Sequence, residues 1–186
     1  MNIFVLDQNP IKAAEYHCDK HVVKMILESA QMLSTAHHIA FIRSKNLDIS
    51  DFKGQKKITE YCKSNNPFAN DIYSVSHLHH PCTVWSYDSI ENYIWHSALS
   101  LSLCMEYTKR YKKIHKSQPV LKILSNNLPS LPSKGLTPFA IAMKPEFKIS
   151  NNPVECYRNY YLKDKVRFAK WNYTEQPDWW IPITIN

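Results

Sequence analysis

Glycine occurs only twice in this 186-residue chain, at Gly54 and Gly135. Phosphate-binding loops of the G-x-G-x-x-G and P-loop kinds need several glycines at fixed spacings, and sheets joined by tight turns use glycine repeatedly. The scarcity of glycine therefore excludes a glycine-rich nucleotide loop and argues against a sheet-rich fold. We predict a mainly α protein of long packed helices, with a short N-terminal strand or arm and an irregular proline-rich segment.

Dipeptides that end in proline mark where the long helices should begin. A polar side chain caps the free N–H groups at a helix start, and proline favours the first helical position. The dipeptides of this form that precede the predicted long helices are Asn9-Pro10, His80-Pro81 and Asn152-Pro153. The predicted elements are a strand or arm over 2–6, helices over about 10–40, 55–63, 82–113, 119–124 and 153–171, and an extended tail.

The length of the chain, with a mass of 21.8 kDa, suits one domain. Within a single domain over 1–186 we expect a helical core over 1–113, an irregular connection over 114–152, and a basic aromatic helix with a tail over 153–186. The sequence contains no apolar run long enough to span a membrane and no signal-peptide pattern, so we expect a cytoplasmic protein with no membrane partner. The cysteines form no C-x-x-C pair, which favours reduced thiols.

The net charge of +7 comes from one half of the chain. Residues 1–100 carry nine basic and ten acidic side chains, whereas residues 101–186 carry fourteen and six. A one-sided basic excess is typical of proteins that bind a polyanion, although a solvated basic surface has the same composition. The partner that this pattern predicts is a nucleic acid, with DNA as our first choice.

Two basic segments in the second half are the candidate phosphate contacts. The first ends the second long helix, where the helix dipole alone also favours cations. The third long helix interleaves basic and aromatic residues, so its rings either stack on bases or fill the core of the protein. We expect at least two of Tyr157, Tyr161 and Phe168 to be buried. The candidate binding residues are Lys109, Arg110, Lys112, Lys113, Arg158, Lys163, Lys165, Arg167 and Lys170.

A narrow polar stripe crosses the first long helix, which is otherwise apolar nearly all round. Charged groups on a buried helix are costly unless they are paired or functional. Lys24 and Glu28 are four residues apart and would form a structural ion pair on an exposed helix. The apolar surroundings favour instead a site in which His21, Lys24 and Glu28 meet. The stripe consists of His17, His21, Lys24, Glu28, Gln31 and Thr35.

His17 and His21 also have the spacing of a metal-binding pair. A third ligand would have to come from a distant segment, where the candidates are His77, His79, His80 and Cys82. Neither H-E-x-x-H nor C-x-x-C accompanies the pair, so we expect no metal and no cofactor.

The stripe and the segments that follow it resemble a known family. The matching features are the N-terminal strand, Pro10 and Ala14, Lys24-Met-Ile-Leu-Glu28-Ser-Ala-Gln31, His80-Pro-Cys-Thr-Val-Trp85, Tyr93, and Glu106-Tyr-Thr-Lys-Arg110-Tyr111. They make residues 1–113 similar to the pyrimidine-dimer DNA glycosylase (endonuclease V-like) superfamily. The segment Tyr157-Arg-Asn-Tyr-Tyr161 further resembles a group of small, mostly uncharacterised phage proteins.

The resemblance implies an all-α DNA glycosylase with AP lyase activity that acts on damaged or modified bases. The family uses an amine at the N-terminus as its nucleophile and a glutamate on the first long helix, which corresponds to Glu28. Since Asn2 normally leaves Met1 in place, the amine implied here is either that of Met1 or the side chain of Lys24. His80 matches a family motif, where it either contacts the ligand or caps a helix. A phage origin would make the host cytoplasm the expected location.

Two other interpretations stay open from the sequence. The chain differs from the family at Asn2 and at Leu27, where the family places an arginine beside the glutamate. These differences favour a non-catalytic nucleic-acid-binding or host-interaction protein on the same fold. A nucleotide-binding protein, with a small ligand at the polar stripe, is the third interpretation.

Overall fold

The computed structural model describes residues 1–181. This part of the chain is mainly helical and contains no strand, which confirms the predicted fold class. Residues 2–6 form a buried arm without regular secondary structure. The α-helices are α1 (Pro10–Tyr16), α2 (Asp19–Ser44), α3 (Gln55–Asn65), α4 (Pro81–Asp88), α5 (Ile90–Tyr111), α6 (Gln118–Asn126) and α7 (Pro153–Tyr160). Short 3-10 turns occupy Ile49–Asp51, Pro67–Asn70 and Pro145–Phe147, and a π-helical turn occupies Tyr161–Lys165.

Helix α2 lies at the centre of the fold. It packs against α3, α4, α5 and α6, while α1 packs against α5. Small and aliphatic residues such as Ala30, Leu33 and Ala36 form its buried face, so neighbouring helices approach it closely. One hydrophobic core extends from Ile3 in the arm to Trp180. None of the helices within residues 1–181 has the length and apolar character needed to cross a membrane.

The first long helix, predicted as continuous over 10–40, is broken at His17 and Cys18. Both residues take extended backbone conformations, with ψ angles of 132° and 158°. The Arg110 guanidinium donates hydrogen bonds to the carbonyls of Glu15 and His17, at 2.9 and 2.8 Å. In a continuous helix these two carbonyls would accept hydrogen bonds from backbone N–H groups one turn later. Because Arg110 supplies those bonds instead, the chain can turn there without a glycine or proline.

The prediction that Arg110 contacts phosphate is wrong, because its side chain is completely buried. Its nitrogens lie 2.8 Å from the Glu106 carboxylate and 3.2 Å from that of Asp19. Together with the two carbonyl bonds, these contacts use all three guanidinium nitrogens inside the protein. Arg110 therefore joins α1, α2 and α5 and has no donor left for a ligand.

We expect Arg110→Met to lower the free energy of unfolding by about 3–5 kcal/mol, because it leaves two buried carboxylates without their partner. Urea denaturation followed by circular dichroism measures this change. The matched control is Lys113→Met at a nearby exposed lysine outside the Arg110 network, for which the expected change is within about 0.5 kcal/mol. Equal effects of the two substitutions would contradict a structural role for the Arg110 network.

The second long helix, predicted over 82–113, is also two helices, α4 and α5, which meet at Ser89. The Ser89 hydroxyl accepts a hydrogen bond from the Asn92 amide at 3.1 Å and donates one to the Gly135 carbonyl at 3.0 Å. Serine in this N-cap position starts a new helix, and the bond to Gly135 ties the proline-rich segment to it. Trp85 packs in the core.

The third long helix, predicted over 153–171, is α-helical only to Tyr160. It continues as the π-helical turn Tyr161–Lys165, and beyond Lys165 the chain is irregular. Tyr157 and Tyr161 are fully buried, as the sequence predicted for at least two of the aromatic residues in this helix. Of the predicted tail, residues 182–186 lie outside the described residues.

Candidate functional site

A cavity of about 310 Å³ opens between the N-terminal arm, α2 and the π-helical turn after α7. This volume lies at the lower end of the range for small-molecule sites. The lining includes five cationic groups, those of Met1, Lys20, Lys24, Lys165 and Arg167, and one carboxylate, that of Glu28. Four rings, those of Phe4, His21, Tyr160 and Phe168, and the residues Asn2, Met25 and Ala142 complete it.

Glu28 lines the cavity and is 8% exposed. Its Oε2 accepts a hydrogen bond from the backbone N–H of Asn2 at 3.0 Å and lies 3.7 Å from the Met1 amine. Its Oε1 lies 3.3 Å from Lys24 Nζ. The carboxylate thus stands between two primary amines, one at the start of the chain and one on the preceding helical turn.

The position of the Met1 amine follows from the burial of the first two residues. The Met1 side chain is 2% exposed, and its sulfur accepts a contact from the Thr83 hydroxyl at 3.8 Å. The side-chain Nδ2 of Asn2 donates a hydrogen bond to the Ala142 carbonyl at 2.7 Å, and its Oδ1 accepts one from the Tyr157 hydroxyl at 2.7 Å. Sequence reasoning missed Asn2 as an anchor, because its partners are more than a hundred residues away.

A role for Lys24 as the imine-forming amine would require burial to keep its nitrogen neutral, but 63% of its side chain is exposed. Lys24 lines the cavity, and its Nζ contacts the Glu28 carboxylate. An exposed, ion-paired lysine serves better as an electrostatic clamp on the glutamate than as an imine-forming amine, which needs a neutral nitrogen.

His21 lies on the wall of the cavity, stacked on Phe4 with ring centroids 4.3 Å apart. Its Nδ1 forms a hydrogen bond with the Tyr161 hydroxyl. Burial, followed by the charges of nearby basic groups including Lys165 and Lys24, lowers the pKa of His21 to about 2. The ring is therefore neutral at physiological pH and offers a polar atom without adding charge.

His17 does not belong to the site. It caps the end of α1, its Nδ1 bonds to the Ala13 carbonyl at 2.6 Å, and its ring is fully buried. Burial lowers the pKa of His17 to about 4. No group of three metal-ligating side chains occurs in the described part of the chain, so His17 and His21 lack a third ligand there.

These two histidines predict acid sensitivity. Each is protonated below about pH 6.5 in the unfolded chain but stays neutral in the folded one, so stability is complete above pH 6.5 and declines as the pH falls. We expect a loss of about 1.4 kcal/mol per pH unit for each histidine below that point. Urea titrations from pH 8 to pH 5 measure it. His17→Gln should reduce the slope, whereas the exposed His79→Gln should not.

Cationic and aromatic side chains also line the cavity. Lys165 donates to the Tyr160 hydroxyl at 2.9 Å, since a π-helical turn brings residues five apart to one side. Lys20 lies 4.8 Å from the centroid of the Phe168 ring. The sequence carried a signal for Lys20, which is one helical turn before Lys24, but none for the contacts of Phe4, Tyr160 or Phe168.

Most other predicted binding residues lie away from the cavity. Arg158 donates to the Leu6 carbonyl at 2.9 Å and pairs with Asp7 at 3.4 Å, so its role is to hold the arm. His80 caps α4, accepting from the Cys82 amide at 3.2 Å beside Met1. The remaining predicted residues that are outside the cavity lining are Gln31, which is half-buried, and Lys109, Lys112, Lys113, Lys163 and Lys170, which are exposed.

Comparison with known proteins identified no relative. No family model matches the chain, and neither a characterised protein nor a solved structure matches it.

Proposed function

We propose that the protein is a DNA-binding, base-processing enzyme of the DNA glycosylase/AP lyase type, acting on damaged or modified bases. The observation that carries the proposal is the Met1 amine 3.7 Å from a buried Glu28 carboxylate inside a cationic cavity. A primary amine and an adjacent proton acceptor are the two groups that imine-forming catalysis requires. The proposal requires the Met1 amine to be free in the working protein.

Glu28 first accepts a proton from the Met1 ammonium group. The freed amine attacks C1′ of the deoxyribose, and the bond from C1′ to the base breaks with its electron pair leaving on the base, which takes up a proton. The positively charged nitrogen formed by the attack loses a proton to water. Its lone pair then forms a C1′=N double bond as the C1′–O4′ bond breaks, and O4′ takes up a proton, which leaves a protonated imine. Removal of a C2′ proton then breaks the C3′–O bond and releases the 3′ phosphate.

The target base must leave the helix before this attack, because C1′ is shielded inside stacked duplex DNA. Two of the rings that line the cavity, those of Tyr160 and Phe168, are only half-buried and offer aromatic surface to an extruded base. Lys112 and Lys113 are exposed outside the cavity and suit contacts to more distant phosphates.

Borohydride trapping on DNA with an abasic site tests the chemistry. Reduction of the imine should leave a covalent complex that survives denaturing electrophoresis, at the mass of the protein plus the DNA strand. Tight binding without an adduct would favour the non-catalytic nucleic-acid-binding interpretation. If the protein neither binds the DNA nor forms the adduct, DNA is not its substrate.

Binding to DNA should weaken steeply as salt is added, because each phosphate contact releases condensed cations. We expect the Lys112→Ala/Lys113→Ala double variant to reduce the slope of log K against log salt by about two. Fluorescence anisotropy at several salt concentrations measures the slope. The matched control is Lys53→Ala/Lys56→Ala, at two exposed lysines before and in α3, which should keep the original slope.

A further inference from the structure

We infer that the Phe168 end of the cavity is a phosphate site, formed by Lys20, Lys165 and Arg167, that holds a phosphodiester next to the sugar at Met1. This inference deepens the proposed function and rests on it. With this phosphate site, the substrate is a nucleotide within a DNA strand. The Met1 amine and Glu28 alone could act on any deoxyriboside.

The geometry places three cations around one ring. Lys20 Nζ lies 4.8 Å from the Phe168 ring centroid, Arg167 Cζ lies 5.7 Å away and Lys165 Nζ lies 6.0 Å away. All three residues and Phe168 also line the same cavity. The three charges therefore face one small volume from two distant parts of the chain, α2 and the segment from the π-helical turn to Arg167.

The positive charge at this end is only partly compensated. Lys165 pairs with Asp164 at 2.8 Å, but neither Lys20 nor Arg167 has an ion-pair partner among residues 1–181. Gathering like charges is unfavourable unless an anion joins them, so an unbalanced cationic group of this kind is suited to bind one.

Lys165 is the fixed member of the group, with 13% of its side chain exposed. Burial acts to lower the pKa of Lys165, but its hydrogen bonds to Asp164 and to the Tyr160 hydroxyl outweigh burial and raise it. Lys165 is therefore charged and held in place, whereas the exposed Lys20 and Arg167 are free to close on a phosphate from outside.

The part of the cavity around Glu28 suits a sugar better than an anion. Glu28 would repel a phosphate there, although its own charge is offset by the Met1 amine and Lys24. The cavity is thus divided into a carboxylate end for the deoxyribose and a cationic end for the phosphate. The neutral His21 ring lines the cavity too and leaves this division of charge unchanged.

Neutral phosphate analogues test the site. Abasic DNA is prepared with a single methylphosphonate at each position near the lesion, and binding is measured for the unmodified protein and for Lys20→Ala/Arg167→Ala. We expect one position to weaken binding of the unmodified protein about tenfold and to leave binding of the double variant unchanged. Lys112→Ala/Lys113→Ala is the control and should keep the tenfold sensitivity. Equal losses for all three proteins at every position would overturn the inference.

Two further measurements show whether the phosphate belongs to DNA or to a free nucleotide, and whether the phosphate site and the proposed chemistry stand independently. A deoxynucleoside 5′-monophosphate that displaces DNA from the unmodified protein, but not from Lys20→Ala/Arg167→Ala, would support the same site with a free nucleotide as its source. Borohydride trapping is measured in parallel. If an adduct forms but no methylphosphonate position affects the unmodified protein more than the double variant, only the phosphate site is overturned. If one position shows that difference but no adduct forms, only the proposed chemistry is overturned.

Discussion

Glu28→Gln is expected to abolish imine trapping and base release, lowering the rate by about 10²–10⁴-fold, the range for loss of a general acid–base group. The amide side chain keeps an oxygen for the Asn2 N–H, so the anchor of the arm is retained. What it loses is the ability to take a proton from the Met1 ammonium group. Single-turnover trapping on abasic DNA, quantified over time, measures the loss.

The affinity for DNA should hardly change in the same variant, because the Glu28 carboxylate is buried and its charge is already offset by the Met1 amine and Lys24. Glu60→Gln is the matched control. Glu60 is an exposed glutamate on α3 that pairs with Lys57, and its removal should alter neither rate nor affinity. Normal turnover by Glu28→Gln would mean that the site has been assigned to the wrong carboxylate.

Helical periodicity explains what the sequence could predict of the site. Residues four apart on a helix face the same way, so the approach of Lys24 to Glu28 follows from spacing alone, and the 3.3 Å contact agrees with it. The same periodicity includes Lys20, although Lys20 was not among the residues predicted for the stripe. The inclusion of His17 in the stripe was wrong, because α1 ends at Tyr16 and α2 begins only at Asp19.

Tertiary contacts explain what the sequence could not predict. The breaks at His17 and Ser89 lack glycine or proline, and the bonds that permit them come from Arg110 and Gly135, far along the chain. Lys165 reaches the cavity only because a π-helical turn, which has no simple sequence signal, rotates the chain after Tyr160. Local sequence patterns thus predicted that the long helical segments exist, but not where each helix is interrupted or stops.

Asn2 links the fold to the proposed chemistry. A residue of its size after methionine favours retention of Met1, and the structure buries the Met1 side chain against Thr83. The Asn2 side chain meanwhile bonds to the Ala142 carbonyl and the Tyr157 hydroxyl, which holds the first residue of the arm at Glu28. The difference from the family at Asn2 is therefore compatible with an amine nucleophile at Met1.

The identity of the nucleophile is the last prediction. We expect Lys24→Arg to keep the covalent adduct, because arginine retains the charge beside Glu28 and the exposed Lys24 acts as a clamp. Acetylation of the Met1 amine should abolish the adduct completely, since an amide nitrogen is not nucleophilic. Trapping with both proteins side by side, followed by mass spectrometry of the cross-linked peptide, measures the two outcomes.

Acetylation also removes the positive charge 3.7 Å from Glu28, so a structural effect has to be separated from a chemical one. Circular dichroism and DNA affinity of the acetylated protein should match those of the free-amine form, and the cross-linked peptide of the latter should begin at Met1. Loss of the adduct only in Lys24→Arg would reverse the assignment. The nucleophile would then be an exposed lysine, and the buried Met1 would serve to position Glu28 through the Asn2 amide.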